Sequence, residues 1–67
     1  MKNTLHNNLV IRALSELING IHDEQSYLDV QKHIIYAYLN DEIEHGTEQF
    51  LLSIAERRLN ERSNLKG

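Results

Sequence analysis

Apolar residues recur along this chain at the spacing of helices. Val10, Leu14, Leu17 and Ile21 are separated by four, three and four positions, which on a helix gathers them into one seam. Further on, Tyr27, Leu28, Val30, Ile34, Ile35, Ala37, Tyr38 and Leu39 spread over an arc of about 200°, wider than the stripe of an ordinary surface helix. A helix of that kind needs cover on more than one side. A third cluster, Phe50, Leu51, Leu52, Ile54, Ala55 and Leu59, precedes a polar and basic end.

The breaks between these clusters are marked by glycine. The chain has no proline, and Gly20 and Gly46 are its only internal glycines; both suit the residue just past a helix end. Three helices are therefore expected, near residues 6–20, 26–45 and 47–63, with 1–5 and 64–67 frayed. Ser26 suits the N-cap of the second helix, with Asp29 three positions on. Thr47 suits that of the third, with Glu48 in the first turn. The expected core is Val10, Leu14, Leu17, Ile34, Ile35, Tyr38, Leu39, Phe50, Leu51 and Ile54. A longer coiled-coil helix is the alternative, since Leu14, Ile21, Leu28 and Ile35 lie seven apart; Gly20 and the polar Glu24 and Gln31 interrupt it.

Length shapes the rest of the fold prediction. With 67 residues there is room for one domain, and a chain this short hides only about 60% of the surface its unfolded form exposes. Small domains compensate with disulfides, metals or oligomerisation, and the absence of cysteine removes disulfides and thiolate zinc sites together. The fold expected is an all-α three-helix domain, a helical hairpin plus a third helix, pairing as a dimeric helical bundle. No apolar run approaches the roughly 18 residues that span a bilayer, so a cytoplasmic protein is expected, and its size and style suggest a microbial one.

Charge is uneven. The net −3 divides into +1 over residues 1–22, −5 over 23–45 and +1 over 46–67. An acidic middle opposes a surface made mainly for phosphate backbones and suits a basic or mixed protein partner.

Candidate chemistry is sparse. Glu42 and His45 form an E-x-x-H pair, which on one helix would set a carboxylate and an imidazole a turn apart, as in carboxylate-bridged di-iron bundles. The first helix supplies only Glu16 as a further acid, so no metal and no other cofactor is expected. The serines, Ser15, Ser26, Ser53 and Ser63, lack a glycine-rich turn to hold a nucleophile or cradle a phosphate. An enzyme is not expected. His6, His22 and His33 are dispersed and read as solvated side chains.

Protein binding remains. Tyr36 projects away from the apolar arc, toward Asp29 and Ile43, and an aromatic on a polar face is an interface signal. Asp29, Tyr36, Asp41, Glu42, Ile43 and Glu44 are the candidate contact residues. The competing reading is a nucleic-acid-binding transcription factor that uses the third helix through Arg57, Arg58, Arg62 and Lys66.

Within that helix, Ser53, Ala55, Glu56, Arg58, Leu59 and Glu61 in the run "LLSIAERRLNER" resemble the third helix of the Hha and YmoA type of small bacterial expression modulators. The resemblance covers less than a third of the chain, which departs in its longer first helix and its lack of an aromatic-rich fourth. It implies a class, short regulators that act by binding larger proteins, with Glu56 in the place of the acid that contacts a nucleoid-associated partner.

Overall fold

The computed structural model describes the backbone of residues 4–66 and the side chains of residues 8–62. Three helices, α1 (Thr4–Asn19), α2 (Glu24–Leu39) and α3 (His45–Lys66), form an all-α domain in which each helix touches both others and α2 and α3 share the largest contact. The connections, residues 20–23 and 40–44, are short enough to make sequential helices antiparallel neighbours.

Both breaks differ from the expectation in how they are built. At the first, the Gly20 amide donates to the carbonyls of Glu16 at 3.2 Å and Leu17 at 3.0 Å, and that of Ile21 to Ile18 at 3.1 Å, so α1 closes on a tightened turn. Asp23, rather than Ser26, caps α2: its backbone is extended and its Oδ1 accepts from the Ser26 amide at 2.8 Å. Ser26 is the reciprocal half of this capping box, its Oγ accepting from the Asp23 amide at 3.1 Å and the His22 amide at 3.0 Å. Two orphan donors of the helix entry are thereby satisfied at once.

The second break lies six residues earlier than Gly46 suggests. The Asp41 amide donates to the Tyr38 carbonyl at 3.0 Å and the Glu42 amide to Ala37 at 2.9 Å, the paired bonds of a Schellman motif. Its left-handed position is held by Asp41, at φ 67° the one non-glycine with positive φ among the described residues. Aspartate tolerates that region better than most side chains because it bonds locally. Neither described glycine has a positive φ; Gly46 lies inside the first turn of α3, and the carbonyl of Glu44, ahead of Thr47, accepts the first helical bond, from the Glu48 amide at 2.9 Å.

Ending α2 at Leu39 changes the core. Buried are Leu14, Ile18 and Ile21 from α1 and its exit, Val30, Ile34 and Ala37 from α2, Ile43 from the second loop, and Leu51 and Ala55 from α3. Leu14, Ile34 and Leu51 are where they were expected; Val10, Ile35 and Ile54 are half-buried. Leu17, Tyr38, Leu39 and Phe50, expected inside, are exposed, Leu39 by 67% and Phe50 by 64%. On α1 the buried series runs 14, 18, 21 rather than 14, 17, 21, which turns Leu17 toward the rim. Ile43, freed from helical geometry, folds back under the bundle and pins the loop.

Candidate functional site

α1 and α2 leave an open groove of about 320 Å³ between them, with Val10, Ala13, Leu14, Leu17, His33, Tyr36, Ala37, Asn40 and Glu42 on its walls. Its sides are built by helical repetition. Ala13 and Leu17 are four apart on α1, and Leu9, four residues before Ala13, continues their line and is 56% exposed. From α2 come His33 and Tyr36, and from its C-cap Asn40, also at spacings of three and four. Tyr36 is 56% and Leu17 40% exposed, so two large side chains border an apolar floor without being covered. The His33 ring is fixed through Nδ1, 2.7 Å from the Asp29 carbonyl oxygen, where a protonated Nδ1 donates.

Two of the six expected protein-contact residues, Tyr36 and Glu42, meet in this groove. Asp29 is exposed two turns before Tyr36 on α2, its Oδ1 3.5 Å from the Gln25 amide nitrogen. Asp41 and Glu44 are exposed in the loop beyond Asn40. Ile43 does not belong to the surface: it is 2% exposed, because the Schellman turn directs it inward. Leu9, Val10, Ala13, Leu17, His33 and Asn40 were not anticipated as site residues. Their signal was an apolar row at 9, 13 and 17 beside the seam, which makes α1 apolar over more than its buried face needs.

The Glu42 and His45 pair loses its premise. With α2 ending at Leu39, the two residues do not share a helix, and His45 is instead the first residue of α3. Its ring tilts against Tyr38, centroids 5.8 Å apart, and its Nδ1 lies 3.4 Å from Oε1 of Glu48, the one buried charged residue described. Glu48 holds the first turn of α3, where the helix dipole favours a carboxylate. Among the described residues no three His, Asp or Glu side chains converge on a common point.

The basic residues of α3 do not form one outward face. Arg57 is exposed, whereas Arg58 and Arg62 are half-buried, and the side chain of Lys66 lies outside the described residues. Arg58 turns its stem inward: its Nε is buried with no hydrogen-bond partner, and Nη1 is 4.0 Å from Oε1 of Glu61. Among the described residues, no helix is long and apolar enough to cross a membrane.

Compared with family models, curated proteins and solved structures, the chain matches none.

Proposed function

We propose that this chain is a small, non-catalytic regulatory or adaptor protein, cytoplasmic and microbial, that acts by binding another protein and works as a homodimer. The observation that carries the reading is the groove between α1 and α2, whose apolar floor is bordered by the exposed Leu17 and Tyr36. Large apolar and aromatic side chains left uncovered beside a concave floor are the anchors around which interfaces form. The acids Asp41, Glu42 and Glu44 follow at one end of the groove, so the partner it suits is an amphipathic helix carrying basic residues beside its apolar face. The competing nucleic-acid reading draws less support, because Arg58 and Arg62 are committed to the bundle side of α3 and Arg57 is flanked by Glu56.

Affinity capture from the native host with three chains tests this. Wild type and Arg57→Ala should retain the same protein, and Leu17→Glu, checked for retained helicity, should lose it. Capture that ignores Leu17→Glu, or duplex DNA binding at low salt that Arg57→Ala abolishes, would replace this function with another.

A further inference from the structure

The exit of α1 brings together two residues with a chemistry of their own. Of the chain's seven asparagines, Asn19 alone is followed by glycine. Asn19 and Gly20 are both exposed, and they lie between Ile18 and Ile21, which are 2% and 0% exposed. The side-chain amide carbon of an asparagine is an electrophile within ring-closing reach of the next backbone nitrogen. A glycine at that next position has no Cβ to crowd the approach.

We infer that Asn19 is a site of spontaneous deamidation, with the last turn of α1 as its gate. The Gly20 nitrogen, its proton lost to solvent base, attacks Cγ of Asn19; the side-chain nitrogen departs with a proton as ammonia and leaves a cyclic imide. Water then opens the ring. Added at Cγ it gives aspartate, and added at the main-chain carbonyl it gives isoaspartate, whose backbone runs through the former side chain. The closed turn holds the reaction back in two ways. The Gly20 N–H is shared between the carbonyls of Glu16 at 3.2 Å and Leu17 at 3.0 Å, and Asn19 is helical, whereas ring closure needs its ψ to bring the amide carbon onto the nitrogen. Helix ends fray, and an N–H shared at such an end is released when the last turn opens. Conversion then damages the fold. Isoaspartate lengthens the main chain by one carbon between two core side chains, and either product puts a carboxylate at the C-terminal end of α1, where the helix dipole disfavours it.

Tryptic mapping of the intact protein, incubated at mildly alkaline pH, tests this. Cleavage after Arg12 and Lys32 releases residues 13–32, whose one asparagine is Asn19, and cleavage after Lys32 and Arg57 releases 33–57, whose one asparagine is Asn40. The first peptide should gain the mass of an amide-to-acid exchange, assigned to Asn19 by fragmentation, and resolve into aspartate and isoaspartate forms before the second changes. Unfolding the chain in guanidinium chloride should accelerate this conversion several-fold, because the gate is then gone. Gly20→Ala should suppress it and keep the helical circular dichroism of the wild type, since the added Cβ meets only the carbonyl oxygens of Leu17 at 3.5 Å and Glu16 at 3.9 Å. Partly converted protein should melt below fresh protein. An Asn19 that stays intact while Asn40 converts would overturn the site, and so would conversion that Gly20→Ala leaves as fast. Conversion equally fast with and without denaturant would remove the gate.

Discussion

Replacing Gly46 by alanine separates two accounts of how α2 gives way to α3. A glycine that ends a helix in the left-handed region resists substitution, because an added Cβ there costs about 1–2 kcal/mol. Gly46 instead sits in the first turn of α3 without positive φ, and a Cβ built on it meets no atom within 4 Å. Alanine should then stabilise the protein by about 0.4–1 kcal/mol, chiefly by narrowing the unfolded ensemble. For a chain of 67 residues the unfolding entropy is about 0.14 kcal/mol/K, so the midpoint should rise by about 3–7 °C. Thermal unfolding followed by far-ultraviolet circular dichroism reads this directly, at one fixed protein concentration, since any self-association would make Tm concentration-dependent. A midpoint that falls by several degrees would mean that the left-handed position belongs to Gly46 and not to Asp41, and the Schellman turn at Ala37 to Glu42 would have to be abandoned.

The core and the cap make two further tests. Ile34→Ala, at a side chain with 0% exposure, should cost about 2–5 kcal/mol out of a total of about 3–10 kcal/mol for a domain this small, whereas Phe50→Ala, at 64% exposure, should stay within about 0.5 kcal/mol; urea titration compares them, and equal midpoints would refute the burial pattern. Asp23→Ala should cost about 0.5–2 kcal/mol through loss of the α2 cap, and an unchanged midpoint would return the cap to Ser26.

Helix number and class were legible in the sequence because Gly20 and two changes in apolar phase are strong local signals. The second boundary was not, because glycine is the usual left-handed residue and Asn40-Asp41, the less common device, lay six residues upstream. That one displacement propagates. Counting Asn40 through His45 as helix placed Ile43 on the surface, the reverse of what a Schellman turn after Leu39 produces; Tyr38 and Leu39 are helical either way and were placed inside by the breadth of the apolar arc. Leu17 was misplaced for a subtler reason: 14, 17, 21 and 14, 18, 21 are both helical seams, and only packing against α2 and α3 chooses between them. Of the candidate site, Tyr36 was readable as an aromatic off the apolar arc. The α1 half of the groove was not, since an apolar residue at a helix rim looks in sequence like one in the core.

The short connections at residues 20–23 and 40–44 join helices that are already neighbours in space, and this governs time as well as shape. Contacts between adjacent segments require little loop closure, and helical chains of this kind fold in microseconds to milliseconds. Without proline, no isomerisation waits behind that event. When reclosing outruns cleavage, proteolysis follows the equilibrium population of open chain rather than the unfolding rate. The lifetime of this protein is then set by whatever shifts that equilibrium, and a partner that binds only the folded chain would lengthen it by the factor 1 + L/Kd, where L is the free partner concentration.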